Sequence, residues 1–507
     1  MTTKSSASTA NIVPFQFEFR PALPTVYGNI DYRRFEGLLK RIDEILRVSG
    51  VERWFIELSL EAYDRQAEAG KVPVKEWARR KHQLQSVRAL RCEVLRKLLK
   101  EDFRGMARRL AECPLFQWFA HLDALDGARV PGKSTLQQYA HWLSGEQMRE
   151  AVNVLLRAVS EPSMAEEALR LAQAIELETV WMDTTCVKAN IHFPVDWVLL
   201  RDGVRTLMKA VALIRRHGLR HRMAGPSTFL SWINRLSMAM SAARRQSDSR
   251  RQRKQILRQM KQLMKVVAAH ARRYRQLLDA EWEQTDWSRK QAEQVLRRID
   301  GVLALLPQAV KQAHERIIGE RQVPNATKIL SLYETDLRVI VRGKAQAEVE
   351  FGNKLLLAEQ RDGLIVDWNM EREQAPADSH WMKPSLQRLQ TVLPTAIIRG
   401  LGADRGFSSD ANRRLLKQLR IFDGICPKDP RDLQRRTEQP RFVTIQKRRA
   451  QTEGRIGIFQ NVFLGQPFRA KGFEHRNLAV AWAVLAHNLW VLARLPRAEE
   501  TALKKAA

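Results

Sequence analysis

A chain of 507 residues exceeds what one hydrophobic core usually organises, and 44% hydrophobic with 28% charged residues excludes both a disordered chain and a membrane-embedded one. Its 86 Lys plus Arg against 56 Asp plus Glu leave a formal charge of +30, a surplus that attracts phosphates and points to nucleic acid before an anionic lipid surface. Cys92, Cys113, Cys186 and Cys426 are widely separated, with no CxxC pair and no histidines at finger spacing, so neither a zinc finger nor a disulfide framework is expected.

Residues 1–28 are polar, then rich in Pro and aromatics, and are expected to form an extended arm without the basic start and apolar core of a secretory signal. From 29 to 175 apolar residues recur at three and four, in RRFEGLLKRIDEILR, in the long run beginning WARRKHQLQ and in STLQQYAHWLSGEQMREAVNVLL, which predicts an all-helical domain. Within it, Pro131 and Gly132 before Ser134 read as the punctuation of a helix-turn-helix, with Ser134 as the expected cap. At ETVWMDTTCVKANIHF the period changes to that of a strand, or of two joined strands.

A helical insertion is expected over 196–325, where two long basic segments have the spacing of antiparallel partners. Its basic side chains, Arg251, Arg253 and Lys254 among them, suit either a DNA-tracking surface or a solvated face. Strands then resume in DLRVIVRG, AEVEFGNKLLLAE and GLIVDWNM, followed by a helix near PSLQRLQTVL, a strand PTAIIRGLGAD, a helix SSDANRRLLKQL and a strand IFDGICPK. The end is helical from 447 to 464 and from 475 to 495. The apolar run over 478–495 contains His487, Asn488 and Arg494, so a buried helix and a cytoplasmic protein are expected rather than a membrane span.

Three acids fall where they can converge on one sheet edge: Asp183 in the first strand, Asp404 at the end of a later strand, and Glu453 on a following helix. Three carboxylates suffice to hold a pair of hard divalent cations for in-line phosphoryl displacement, although a lone acid at a strand end also serves as a turn residue or cap. Ser408 to Asp410 resemble a helix cap after the strand of Asp404, and Gly402 and Gly406 would admit a substrate close to the backbone. His192, Lys344 and Lys354 lie near the sheet as a candidate base and candidate phosphate contacts, with structural or solvated roles as their alternatives.

In order along the chain stand W-M-D-T-T, N-I-H-F-P-V-D, V-R-G-K, E-F-G-N-K, A-D-R-G-F-S-S and R-A-Q-T-E-G-R-I-G. With the closing L-A-V-A-W-A-V-L-A-H-N-L-W, these fragments resemble the DDE transposases of bacterial insertion sequences over about residues 178–495. The resemblance implies a mixed α and α/β chain: a helical N-terminal DNA-binding domain over 29–175, and a ribonuclease-H-like mixed-sheet catalytic domain over 176–195 and 326–497. The helical insertion at 196–325 interrupts that domain, and a short tail occupies 498–507.

It further implies that Asp183, Asp404 and Glu453 bind two Mg2+ or Mn2+ ions, with water and then a freed 3′-hydroxyl as nucleophiles. The implied partners are double-stranded DNA, as terminal inverted repeats and target, and a second copy of the chain or a larger synaptic assembly. Arg449, one helical turn before Glu453, would grip a phosphate or pair with Glu453. The chain departs from the family pattern at Gln446 and Gln460, where related enzymes often carry Tyr and Lys. That departure bears on the DNA-end clamp and the hairpin intermediate, and keeps a second reading open: a nuclease or DNA-binding protein derived from a transposase, without strand transfer.

Overall fold

Apolar residues spaced at three and four make the first helices, and local hydrogen bonds start them. The computed structural model describes residues 22–23, 25–124, 127–243, 248–344, 347–465 and 468–498, with side chains over 342–348 also outside the description. The extended arm expected at 1–28 and the tail at 498–507 therefore lie almost wholly outside the described residues. The helices α1 (Ile30–Val48), α2 (Val51–Glu68), α3 (Glu76–Leu98), α4 (Phe103–Glu112), α5 (Pro114–Phe119), α6 (Lys133–Tyr139) and α7 (Gly145–Ser160) follow in turn. Asn29 accepts from the Tyr32 amide at the start of α1, and Ser144 with Gln147 forms a reciprocal capping box at α7.

The expected cap at Ser134 is corrected. Gly132, with extended backbone, stands at the cap position of α6, and Ser134 lies inside the first turn. With the cap at Gly132, the helix begins at Lys133, two residues earlier than a cap at Ser134 would place it. Among these helices Arg91 is fully buried, donating to Asp43 at 2.6 Å, to Glu52 at 2.5 Å and to the Phe119 carbonyl at 3.1 Å. One guanidinium thus ties α1, α2 and α5 to α3.

The segment after α7 becomes a single strand, β1 (Thr179–Lys188). It is the centre of a mixed sheet with β2 (Arg338–Lys344), β3 (Ala347–Glu359), β4 (Ile365–Met370), β5 (Gly400–Ala403) and β6 (Phe422–Ile425). The long β3 runs antiparallel to β1 from Gly352 to Glu359, pairing on its other edge with β2 through its first half and β4 through its second. On the opposite side β5 is parallel to β1, and β6 is parallel to β5. Helices α12 (Met382–Val392), α13 (Asp410–Gln418), α14 (Pro430–Thr437), α15 (Pro440–Ile458) and α16 (Phe473–Leu492) complete the chain.

The helical stretch between β1 and β2 folds as α8 (Asp196–Arg216), α9 (Pro226–Ala243), α10 (Ser249–Glu281) and α11 (Arg289–Ile317). These pack on one another around their own apolar core, from Leu199 and Leu200 to Ile329 and Leu332. A separate, larger core joins the N-terminal helices, the sheet and α16. Helix α16 is apolar nearly all round, as expected of a helix buried on every side. Its Asn488 side chain donates to the Ile365 carbonyl and accepts the Ile365 amide, serving as a strand partner for the edge of β4. Among the described residues, no helix is long and apolar enough to cross a membrane.

Candidate active site

Parallel pairing of β1 with β5 sets Met182 opposite Ala403, so the next residue of each strand, Asp183 and Asp404, emerges at the same level of the sheet. Asp404 follows β5 directly, caps the short turn Arg405–Phe407, and accepts the Gly406 amide at 2.9 Å. Asp183 accepts the Thr184 amide at 2.7 Å. Burial, reinforced by the charge of Asp404, pushes the Asp183 carboxyl up to about 6. Burial, followed by the charge of Asp378, also raises the Asp404 carboxyl. Two neighbouring carboxylates that resist ionisation are a place where a cation is favoured.

Helix α15 brings the third acid to this edge. Glycines at 400, 402 and 424 let it lie close on β5 and β6: a Cβ at Gly402 would stand 2.5 Å from Trp181 Cδ1 and 2.7 Å from Ile445 Cγ2. The Trp181 indole donates to the Ile445 carbonyl at 2.9 Å, and the Arg448 guanidinium covers its ring. Buried Glu359 at the end of β3 accepts from Arg448 at 2.8 Å and Thr452 at 2.6 Å, locking the helix in rotation. One turn along, Arg449 donates to Glu453 at 2.9 Å.

The charge of Glu453 is felt at Asp183, and the charge of Arg449 at both aspartates. Glu453 itself is 59% exposed and turned onto Arg449, whose Nε is buried without a hydrogen-bond partner. The fold therefore pairs Asp183 with Asp404 and sets Glu453 beside them, held off by an arginine. Among the described residues no three His, Cys, Asp or Glu side chains stand together as a metal-holding group. The aspartate pair fits a hard divalent cation in donor chemistry and in charge; Glu453, bonded to Arg449, would have to give up that arginine to join such a set.

Other residues singled out from the sequence are placed as follows. Gly402 and Gly406 leave room for protein: Gly402 faces Trp181 and Ile445, and Gly406 faces the Asp378 carboxylate. This corrects the expected substrate approach at both. Gln446 donates to the carbonyls of Ala403 and Gly424 at the ends of β5 and β6, and Gln460 donates to Thr185 and the Cys186 carbonyl. His192 is exposed, whereas His487 is buried among Phe459, Phe463 and Trp490 and pushed down to about 4 by that burial.

Lys344 ends β2, with its side chain outside the described residues. On α10, Arg251 is exposed, Arg253 lies over the Trp197 ring and Lys254 pairs with Glu320 at 2.8 Å. Asp378, which no motif marked, stands beside Asp404; it bonds Thr184 at 3.0 Å and Lys354 at 2.5 Å. Its signal in the sequence is weak, because it lies in an irregular segment between β4 and α12. Comparison with protein-family models, with curated proteins and with solved structures returned no match.

Proposed function

We propose that the chain is a DNA transposase of the DDE type, which binds the ends of its insertion sequence and catalyses metal-dependent strand cleavage and strand transfer. The observation that carries this reading is the placement of Asp183 and Asp404 side by side on parallel strands, both resisting ionisation, with Glu453 and Arg449 at the same edge. A mixed sheet interrupted after its first strand supports a ribonuclease-H-like catalytic domain. The charge of +30 supports a DNA partner.

In this reading Asp183, Asp404 and Glu453 would hold Mg2+ or Mn2+, which would supply Lewis-acid stabilisation of charge during phosphoryl transfer. Arg449 exchanges Glu453 for a phosphate, freeing the glutamate to turn toward the aspartates. The backbone amides of Thr184 and Gly406 keep the two carboxylates aimed. Helices within 29–175 recognise the terminal repeats, α10 contributes basic contacts through Arg251, and two copies or more bring the ends together in the cytoplasm.

A second reading, a nuclease or DNA-binding protein derived from a transposase, is favoured by Gln446 and Gln460. Both amides are spent on strand carbonyls or a threonine, where the family pattern has Tyr and Lys available to DNA. The test is incubation of purified protein with Mg2+ and a DNA fragment carrying the flanks of its own gene, followed by mapping of new 3′ ends and joined products. Cleavage and joining by the parent, lost in Asp183→Asn and Asp404→Asn with DNA affinity retained, is the expected result. Cleavage without joining selects the second reading, and variants that cut as well as the parent end the enzyme assignment.

A further inference from the structure

Asp378 occupies a node between the two half-buried acids. Its Oδ1 accepts from the Thr184 hydroxyl at 3.0 Å and from Lys354 Nζ at 2.5 Å. Thr184 is the residue whose amide orients Asp183. Its Oδ2 lies against Gly406, the residue whose amide orients Asp404; a Cβ there would stand 2.5 Å from Asp378 Oδ2 and 3.1 Å from Asp404 Oδ1. Asn412 fastens this corner by donating to the carbonyls of Ser379 at 2.9 Å and Phe407 at 2.8 Å. The Lys354 and Asp378 side chains are 15% and 19% exposed, so their mutual neutralisation is only weakly screened by solvent.

We propose that Asp378 and Lys354 form a positioning pair for Asp183 and Asp404, with Asp378 holding Thr184 by its hydroxyl and backing Gly406, the two residues whose amides aim the acids, and Lys354 cancelling the fourth negative charge of the site. The pair sets how strongly the site attracts a divalent cation. This inference rests on the reading of the aspartates as cation ligands.

The charges give the two halves of the pair opposite signatures. Asp378→Asn removes a negative charge beside Asp404 and leaves Lys354 uncompensated, so cation affinity falls. Lys354→Gln leaves Asp378 uncompensated, so cation affinity rises, and Lys354→Arg, which keeps the charge, stays near the parent. The experiment is titration of full-length protein with Mn2+ alone, followed by paramagnetic resonance of free Mn2+, with thermal melts to select folded variants. About tenfold weaker binding in Asp378→Asn is expected, the scale on which groups behind a metal ligand act, with tighter binding in Lys354→Gln. Parent-like affinity in both, or weakening in both, overturns the pair. Parent binding unaltered by Asp183→Asn removes instead the underlying reading of the aspartates, and the pair falls with it.

Discussion

Asp183 carries an energetic signature that does not require activity to be seen. Its carboxyl is raised from 3.8 to about 6, so the folded state holds this proton more tightly than the unfolded chain. The destabilisation from its ionisation is absent below 3.8, grows from there to about 6, and is complete above. At full ionisation it amounts to roughly 3 kcal/mol. In chelator-treated buffer at pH 8, Asp183→Asn is therefore expected to melt above the parent, with the gap closing toward pH 4. Excess Mg2+ should raise the parent's melting temperature and leave the variant's unchanged, because a ligand stabilises only the state that binds it. Calorimetry at both pH values checks this, and a gap that widens on acidification would refute it.

His487 has the opposite sense. Burial lowers its imidazole from 6.5 to about 4, so its contribution is present above 6.5 and is lost as pH falls toward 4. Urea midpoints of His487→Leu should fall less steeply than the parent's across that window. The histidine was visible in the sequence only as a polar interruption of an apolar helix. Its state is set by Phe459 and Phe463, from the helical turn Phe459–Leu464, and by Trp490 of its own helix.

Helix α15 is the element on which the third acid depends, and buried Glu359 holds it. Removing that carboxylate in Glu359→Ala leaves Arg448 with a carbonyl and threonine environment but no counterion, at a cost of about 3–5 kcal/mol. Denaturant titration gives the magnitude, and loss of DNA cleavage beyond the loss of folded protein would reflect misplacement of Glu453. The second half of this helix was legible in its sequence, whereas its start at Pro440 was not. Val443, Thr444 and Ile445 are β-branched and disguise the first turns, which are helical because they lie on glycines of β5 and β6.

The strand of Asp404 was similarly half legible. PTAIIRGLGAD predicts a strand from 394 onward, yet only Gly400–Ala403 pair with β1. A row of branched residues announces extended backbone. Its partner decides how much of that backbone becomes sheet.

At the scale of the molecule, two large apolar cores divide most of the described residues unevenly, beside a small cluster of Leu330, Leu337 and Val339. The insertion core draws on residues from Leu199 to Leu332 and shares none with the other core. A fragment spanning 195–333 is therefore expected to be helical and to melt cooperatively by circular dichroism. The N-terminal helices, in contrast, share their core with the sheet. Trp482 of α16 donates to the Ala140 carbonyl at 3.1 Å, its ring lies 5.9 Å from Phe55, and Lys97 of α3 reaches the Ala479 carbonyl at 3.2 Å. Trp482→Ala should cost about 3–5 kcal/mol and loosen both parts together, which near-ultraviolet circular dichroism would register as loss of aromatic signal.

By itself the sequence determined the order of most helices and strands, though not α14, the long helical interruption after the first strand, and the three acids worth following, because periodicity and short motifs are local properties. Tertiary structure decided that Asp183 and Asp404 pair, that Glu453 rests on Arg449, and that Asp378 and Lys354 stand behind them. Those distances arise from strand register and helix packing between residues far apart in the chain, where no local pattern reaches.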